Sequence, residues 1–339
     1  MRKKALILGI TGQDGSYLAE FLIKKRYQVH GIKRRTSTTN TSRIDHIFDS
    51  INFKNKNLIM HHGDLSDSGS LFRIISNVKP DEIYNLAAQS HVKISFQIPE
   101  YTSDVNAIGP LRILEIIRHF KKKKIKFYKA SSSEMFGKSK PPQNEKTLFL
   151  PRSVYAISKV FAYHCVVHYR EAYNIHACNG ILFNHESPRR GVNFVTKKII
   201  QGLTRIKQGK QKILVLGNLY AKRDWGHAKD YVESMWKILQ HNKPDDFVIS
   251  TNTSYSVKDF VNISSKKLGI NLKWKKKGLN EIGIDIKTNR TIIKIDKKYF
   301  RETEVDNLVG DFSKAKKNLR WRPKFSFEKL VDDMIKNEI

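Results

Sequence analysis

The first half of the chain alternates short apolar runs with amphipathic stretches. The apolar runs predict strands at Ala5–Leu8, Gln28–Ile32, Leu58–His61, Glu82–Leu86, Lys126–Ala130 and Ala177–Leu182. Segments with helical periodicity lie between them, at Ser16–Lys25, Ser68–Val78, Pro110–His119 and Val154–Tyr173. Strands that alternate with helices are typical of a parallel sheet covered on both faces. We therefore expect an α/β fold with a doubly wound parallel sheet.

The second half loses this regular alternation after about residue 183. Loops rich in Gly, Pro or charge cover Asn184–Gly191 and Leu219–His227. Helices are predicted at Phe194–Lys207, Ala228–Gln240, Val257–Leu268 and Phe327–Asn337. With no low-complexity linker, we predict two closely packed parts with a cleft between them. They are a nucleotide-binding domain at 1–182 plus about 213–250, and a smaller mixed α/β substrate domain at 183–212 and 251–339.

Composition adds a strong positive charge, formally +31 with a pI near 10.0. Such a pI is typical of nucleic-acid-binding proteins. However, the lysines are spread along the chain, and the densest runs, Lys121–Lys124 and Lys275–Lys277, have no interleaved aromatic residues. We expect no specific nucleic-acid partner, and we expect the charge to attract anionic ligands. No apolar run approaches the roughly 20 residues that cross a bilayer, which predicts a cytoplasmic protein without a membrane partner.

A glycine-rich loop, GITGQDG, follows the first strand at residues 9–15 and leads into the first helix. Glycines there permit a tight turn and the close approach of a pyrophosphate to the helix N-terminus. This position predicts a Rossmann-type dinucleotide site, and a glycine-rich turn without a ligand is the alternative. The two cysteines, Cys165 and Cys178, have no metal-binding spacing, so we expect no metal.

The residues after the second strand bear on the choice between NAD and NADP. An NAD site usually has Asp or Glu there for the adenosine ribose, whereas this chain has Lys33, Arg34 and Arg35. Arginine can bind a 2′-phosphate with paired, charge-assisted hydrogen bonds. We therefore predict NADP. The alternative is a loop that is basic only because the whole protein is basic.

Two further segments carry groups that can act on a substrate. SSSEMFG, residues 131–137, follows the fifth strand and places Ser132 and Glu134 at the mouth of the sheet. Ser132 can donate to a sugar oxygen and Glu134 can act as acid or base, although such a cluster alone more often caps a helix. In SVYAISKVFA, residues 153–162, Tyr155 and Lys159 share one helix face. A lysine cation beside a phenol lowers the pKa of the phenol.

These segments together resemble the extended short-chain dehydrogenase/reductase superfamily. Its pattern is spaced glycines, a serine or threonine after the fifth strand, and Y-x-x-x-K on the next helix. Within it, NHESPRRG and RDWGHAKDYV are similar to the GDP-mannose 4,6-dehydratase family, and the resemblance covers nearly the whole chain. Ser132 stands where threonine is common in this family, and Ser133 where the related dTDP-glucose dehydratases have Asp.

The resemblance implies the conversion of GDP-mannose to GDP-4-dehydro-6-deoxy-mannose and water, the first step of GDP-deoxysugar synthesis. It implies a catalytic set of Ser132, Glu134, Tyr155 and Lys159, with Tyr155 as the base and Lys159 lowering its pKa and holding the nicotinamide ribose. The implied NADP contacts are Gly9, Ile10, Thr11, Gly12, Gln13, Asp14, Gly15, Arg34, Arg35, Asp64, Leu65, Leu86, Ala87, Ala88, Gln89, Ser90, Tyr101, Lys159, His185 and Arg190. The implied nucleotide-sugar contacts are Asn184, Lys198, Arg223, Arg301 and Glu304.

The resemblance also implies a homo-oligomer, a tetramer rather than a dimer, in which the loop at about Arg34–Arg43 reaches a neighbouring subunit's cofactor site. Two other functions stay open. A nucleotide-sugar 4-epimerase shares the Tyr and Lys but does not need Glu134. A catalytically silent protein on the same fold, either an NADP sensor or a nucleic-acid binder, has no use for the full catalytic set.

Overall fold

The computed structural model describes residues 2–47, 57–120 and 124–338. Its strands are β1 (Lys4–Leu8), β2 (Gln28–Lys33), β3 (Leu58–His62), β4 (Glu82–Asn85), β5 (Lys126–Ser132), β6 (Ala177–Leu182), β7 (Asn184–Glu186), β8 (Leu214–Leu216), β9 (Lys222–Arg223), β10 (Trp225–His227), β11 (Phe247–Ile249), β12 (Tyr255–Ser256), β13 (Leu272–Lys275), β14 (Ile282–Asp285), β15 (Arg290–Ile295) and β16 (Asn307–Leu308). Its helices are α1 (Gln13–Lys24), α2 (Ser68–Val78), α3 (Pro99–Ser103), α4 (Gly109–His119), α5 (Val154–Tyr173), α6 (Val195–Lys207), α7 (Ala228–Gln240), α8 (Val257–Lys267), α9 (Ser313–Leu319) and α10 (Phe327–Lys336).

Within the described residues, the large sheet consists of parallel strands in the order β3-β2-β1-β4-β5-β6-β11. The strands predicted in the first half are confirmed with only small shifts of their ends, and so is the doubly wound α/β class. The chain runs outward from β1 to β3 on one side and from β4 to β6 on the other. This reversal between β1 and β4 opens a crevice at the carboxyl ends of the strands, which is where such sheets bind ligands.

Apolar cores on both faces of the sheet explain why its strands are continuous apolar runs. On one face, α1 contributes Leu18 and Leu22 and α7 contributes Met235, all fully buried. On the other face, the core includes Leu71 of α2 and Ile113 of α4. Each fully buried side chain of this size stabilises the fold by about 1.5–3 kcal/mol. The alternation of apolar strands with amphipathic helices along the first half thus follows from the burial of both faces of the sheet.

The second half builds smaller sheets beside the carboxyl ends of the large one. β13-β14-β15-β8 form a mixed sheet, β12-β9-β16 form a second, and β10 pairs with β7. Helices α6, α8 and α10 cover an apolar core of their own that includes Leu203, Phe260 and Leu330. The run at 121–123, part of a predicted lysine cluster, lies outside the described residues. Among the residues that are described, no helix has the length and apolar character to cross a membrane.

Candidate functional site

A cleft of about 350 Å³ lies at the carboxyl ends of β4, β5 and β6. Its opposite wall comes from the second half of the chain, including α6 and β9. The cleft brings together all of the predicted catalytic residues and all of the predicted sugar contacts, which are Ser132, Glu134, Tyr155, Lys159, Asn184, Lys198, Arg223, Arg301 and Glu304. These residues are far apart in sequence, so the fold and not chain proximity assembles them.

Ser132 and Glu134 occupy the turn that ends β5. The Ser132 hydroxyl accepts a hydrogen bond from the Glu134 main-chain nitrogen at 3.3 Å, so it does cap the short 3-10 turn at Ser133–Met135. Ser132 therefore caps this turn and also lines the cleft, so its two predicted roles are compatible. The Glu134 carboxylate is buried and lies 3.3 Å from the Arg301 guanidinium. An acid or base at this position faces the wall of the cleft that the second half of the chain supplies.

Tyr155 and Lys159 lie on the first turns of α5. The helix begins after Ser153, whose hydroxyl accepts the Ala156 N–H at 3.1 Å and so satisfies one of the unpaired donors of the first turn. Both side chains are buried on the same face, as the spacing predicts. The Lys159 ammonium donates to the Ala130 carbonyl at 2.9 Å and lies 5.8 Å from the centre of the Tyr155 ring.

The electrostatics of this pair differ from the prediction. Burial raises the pKa of Tyr155 to about 12, and the hydrogen bond with Ser132 only partly opposes it. Burial lowers the pKa of Lys159 to about 8. The lowered pKa that we predicted for Tyr155 is therefore wrong for the chain by itself. The physical reason is that desolvation of the phenolate outweighs the nearby favourable groups.

The main chain of the glycine loop packs too closely for a side chain at two of its three glycines. Gly9 has a φ of +80°, and a Cβ there would lie 2.9 Å from the main chain of Ala87. A Cβ at Gly15 would lie 2.3 Å from the Gly9 carbonyl oxygen. At Gly12 the closest atom, the Gly9 carbonyl oxygen, would be 3.2 Å away, so the packing of the chain constrains Gly12 less than it constrains Gly9 and Gly15. α1 starts directly after Gly12 without a side-chain cap, which leaves its first N–H groups available to an anion.

The other predicted cofactor residues lie at the ends of neighbouring strands. Arg34 follows β2 and donates to the Tyr101 hydroxyl at 2.9 Å, so the fold brings two of the predicted contacts together. Arg35 is exposed next to it. Asp64 and Leu65 follow β3, and Leu86, Ala87, Ala88, Gln89 and Ser90 follow β4. Of these, Leu86, Ala88 and Ser90 line the cleft.

Asp14 and His185, both predicted cofactor contacts, form an ion pair in which the His185 ring and the Asp14 carboxylate are 2.7 Å apart. Burial raises the pKa of Asp14, but the charge and hydrogen bond of His185 outweigh it, so this pKa is lowered. Burial lowers the pKa of His185, and Asp14 outweighs it, so this pKa is raised. Both directions favour the charged pair, which connects α1 with β7. Arg190, the remaining predicted contact here, pairs with Glu186 at 3.0 Å and also lines the cleft.

The predicted sugar contacts present charge and unused hydrogen-bonding capacity. The Lys198 ammonium lies 3.5 Å from the centre of the Tyr299 ring. The Arg223 guanidinium is fixed by the Val305 carbonyl at 2.7 Å. The buried side-chain oxygen of Asn184 has no hydrogen-bond partner within the described residues, and a ligand donor would supply one. The Glu304 carboxylate accepts the main-chain N–H of Arg301 at 3.0 Å.

Several residues that line the cleft were not predicted. They include His91, Asn193, Asn218, Trp225, Val257 and Tyr299. Tyr299 lies two positions before Arg301, a predicted sugar contact, so the sequence around that contact held a signal for it. His91, Asn193 and Asn218 come from loops, Trp225 from the start of β10, and Val257 from the start of α8. Their approach to the cleft depends on tertiary packing, which local patterns do not report.

The fold is similar to that of two solved enzymes that act on other nucleotide sugars. A dTDP-glucose 4,6-dehydratase from Bacillus anthracis, solved with NAD, superimposes with a TM-score of 0.80 at 20% identity, covering 99% of this chain and 96% of that one. A UDP-glucose 4-epimerase from Thermus thermophilus, solved with NAD, gives 0.79 at 19% identity over 99% and 98%. These solved structures share the doubly wound α/β fold of this chain.

Sequence similarity then gives the family. The sequence model of the GDP-mannose 4,6 dehydratase family matches residues 6–334. A GDP-mannose 4,6 dehydratase from Drosophila melanogaster is 55% identical, covering 99% of this chain and 86% of that protein. Relatives of the same name from Homo sapiens and Vibrio cholerae are both 52% identical over 100% of this chain, and 92% and 94% of theirs. The chain belongs to the GDP-mannose 4,6-dehydratase family of enzymes.

Proposed function

We propose that the chain converts GDP-mannose to GDP-4-dehydro-6-deoxy-mannose and water with NADP as a bound cofactor. The observation that carries the proposal is the single cleft that holds Ser132, Glu134, Tyr155 and Lys159 beside the basic residues Lys198, Arg223 and Arg301. The first group can move protons at a sugar ring, and the second can bind a diphosphate. Family membership supports the same reaction.

Tyr155 is the base for the C4 hydroxyl, and Ser132 donates a hydrogen bond to the same oxygen. Bound NADP supplies a hydride acceptor at C4 and later a hydride donor at C6, so it is not consumed. Because burial raises the pKa of Tyr155 to about 12, the tyrosine needs additional positive charge next to it to lose its proton near neutral pH. Lys159 is the residue of the chain placed to contribute that charge and to hold the nicotinamide ribose.

Glu134 removes the C5 proton once C4 is a ketone, because the resulting carbanion is then an enolate. The same carboxyl group, now protonated, assists the departure of hydroxide from C6. Its neighbour Arg301, 3.3 Å away, is the residue through which the sugar-nucleotide side of the cleft contacts this carboxylate. A 4-epimerase would not use Glu134 in this way, which is what separates the two activities.

NADP is the proposed form of the cofactor because of the basic segment after β2. Arg34 and Arg35 are exposed and lie where an acid would bind the ribose of NAD. The 2′-phosphate of NADP supplies the charge that these arginines match. In the same proposal, Asp64, Leu65 and Tyr101 surround the adenosine end, while the residues from Leu86 to Ser90 follow the dinucleotide across the sheet.

The assembly that we propose is a homo-oligomer, with a tetramer favoured, in the cytoplasm. Support comes from α5, which leaves Ile157 and Phe161 exposed at 55% and 45%, one helical turn apart on the outer face. Such neighbouring apolar side chains on a helix suit contact with a second copy. We also propose the two-domain division given by the sequence, revised at two short strands. Because β8 pairs with β15, and β9 pairs with β12 and β16, residues 214–216 and 222–223 belong with the substrate part.

Mass analysis of GDP-mannose incubated with the pure protein and NADP tests the proposed reaction. We expect the product to have lost one water, and we expect no turnover of dTDP-glucose. A product of unchanged mass with inverted C4 would favour the epimerase. Salt-dependent retention on DNA without any turnover would favour the silent, nucleic-acid-binding alternative. Comparable turnover of both sugar nucleotides would contradict the assignment to GDP-mannose.

A further inference from the structure

Lys129 is a buried lysine to which the proposed reaction gives no role. It lies at the centre of β5, three residues before Ser132, and only 1% of its surface is exposed. Lysine is almost never fully buried unless its nitrogen is paired, because removing the amine from water is costly. The contacts of its nitrogen therefore show what the burial achieves.

The Lys129 nitrogen donates to two acceptors. One is the main-chain oxygen of Lys159 in α5, at 3.0 Å, and the other is the hydroxyl of Ser131, also at 3.0 Å. The Ser131 hydroxyl uses its own proton to donate to the Asn179 side-chain oxygen at 3.0 Å. The Asn179 amide nitrogen in turn donates to Asp246 at 2.9 Å. Lys129 is thus anchored in a hydrogen-bonded network behind the cleft.

β5 therefore contacts Lys159 at two points, its side-chain nitrogen and its main-chain oxygen. The Lys159 ammonium donates to the carbonyl of Ala130, and the Lys159 carbonyl accepts from Lys129. Two consecutive residues of β5 therefore fix the side chain and the main chain of the same residue. Because Tyr155 lies one turn earlier on α5, the position of this turn sets the placement of both groups relative to Ser132.

The number of partners matches a neutral amine. An ammonium carries three N–H bonds, whereas the described residues offer the Lys129 nitrogen two acceptors. Burial lowers the pKa of Lys129 well below its ordinary value, and the charge of Lys159 acts in the same direction, opposed by Cys165 on α5 and Asp246 before β11. A neutral Lys129 anchors Lys159 without placing a second positive charge beside it.

We propose that Lys129 is a positioning residue that, through its two N–H donors, fixes the Lys159 main chain and the turn of α5 carrying Tyr155 and Lys159 against β5. The proposal rests on the proposed dehydratase function for its kinetic consequence. The contact between Lys129 and Lys159 also predicts an effect on NADP binding. The reason is that Lys159 is the proposed contact of the nicotinamide ribose.

Three substitutions separate the properties of the side chain. Lys129→Met removes the donors on a side chain one bond shorter, Lys129→Gln keeps neutral N–H donors at that same shorter length, and Lys129→Arg imposes a permanent cation. We expect Lys129→Met to lower kcat about 100-fold, the effect of a small misplacement of reacting groups. KM for GDP-mannose should change little, and Kd for NADP, measured by protein fluorescence, should rise. Lys129→Gln should recover most of both losses, and Lys129→Arg should not.

Lys126→Met is the matched control. Lys126 lies on the same strand and donates to the Leu239 carbonyl at 2.7 Å, so its loss removes a similar hydrogen bond without touching Lys159. This variant should keep the wild-type kcat and NADP affinity.

Wild-type kcat and NADP affinity in Lys129→Met would overturn the proposal, and so would equal losses in the Met and Gln variants. If Lys129→Met does not fold, the comparison of the other two decides, and activity in Lys129→Arg above that in Lys129→Gln would contradict the donor role. Failure of the wild-type chain to dehydrate GDP-mannose would instead count against the proposed function. The NADP titrations of the same variants would then still test the positioning role.

Discussion

The guanidinium of Arg301 lies 3.3 Å from the carboxylate of Glu134, although 167 positions separate the two residues in the sequence. Glu134 belongs to the turn after β5 in the large sheet, and Arg301 to a loop of the second half of the chain. The ion pair therefore joins the proposed acid–base group to the part of the protein that we propose binds the nucleotide sugar. In the proposed function, this contact links a residue that binds the substrate to a residue that transfers its protons.

Glu134→Gln should separate oxidation from elimination. The amide keeps the shape and hydrogen bonds of the side chain but cannot accept the C5 proton. The variant should bind GDP-mannose, accumulate the near-ultraviolet absorbance of reduced cofactor, and lose water about 10²–10⁴-fold more slowly than the wild type. Tyr155→Phe should accumulate neither reduced cofactor nor product, because its block precedes the transfer from C4. In deuterated water, wild-type product should gain label at C5. Dehydration by Glu134→Gln at the wild-type rate would reduce Glu134 to a structural role.

Arg301→Met should weaken the binding of GDP-mannose. A hydrogen bond to a charged group contributes about 1.5–3 kcal/mol, so Kd for GDP-mannose should rise by roughly one to two orders of magnitude. The measurement is calorimetric titration with the Tyr155→Phe variant as the parent, so that neither oxidation of the sugar nor loss of water occurs during the titration. Arg322→Met, which removes an exposed arginine outside the cleft, is the control and should bind like the parent. Unchanged affinity in Arg301→Met would remove Arg301 from the substrate contacts.

Replacing both Arg34 and Arg35 with Ala should reduce the preference for NADP over NAD. Each lost charged hydrogen bond to the 2′-phosphate is worth about 1.5–3 kcal/mol, and NAD has no such phosphate to lose. Fluorescence titration with each dinucleotide measures the two affinities. Arg290→Ala, on the exposed part of β15, is the control and should leave both unchanged. Equal weakening of NAD and NADP would show that the segment does not read the phosphate.

The outer face of α5 predicts the assembly. Ile157→Glu and Phe161→Glu, made together, should dissociate the oligomer into a smaller species, since they place charge on an apolar contact. Multi-angle light scattering gives the molar mass directly. Phe72→Glu is the matched control, because Phe72 is as exposed as Ile157, at 55%, but belongs to a different helix, α2. If Phe72→Glu dissociates the oligomer and the α5 double variant does not, the contact is elsewhere.

The sequence was sufficient to predict elements whose buried positions recur regularly and site residues that lie close together along the chain. β1 reads as an apolar run because both its faces are covered, and Tyr155 with Lys159 could be placed on one face from spacing alone. The short strands β9 and β12, each of 2 residues, are too brief to show an alternating pattern. The pKa of Tyr155 was predicted with the wrong direction because it depends on how much water the folded cleft excludes. For Lys129, no local signal distinguished a buried donor from the many surface lysines, since only the packing of α5 on β5 encloses it.

The final prediction concerns stability against pH. Burial lowers the pKa of Lys159 to about 8 from an ordinary value of 10.5. Between these values the unfolded chain holds a proton on this residue that the folded chain does not, so the free energy of unfolding rises with pH through that range. The difference corresponds to about 3 kcal/mol, at about 1.36 kcal/mol for each pH unit. Lys159→Met has no such proton to release.

Urea unfolding of the wild type and of Lys159→Met, just below pH 8 and near pH 10.5, measures this contribution. The wild type should gain stability relative to the variant as the pH rises across the range, whatever the other titrating groups do, because these are common to both proteins. His185 acts in the opposite direction, since its raised pKa means that its contribution is lost as the pH rises above that value. Lys126→Met should follow the wild-type curve. A wild type and a Lys159→Met variant that change in parallel would mean that Lys159 is not desolvated in the folded protein.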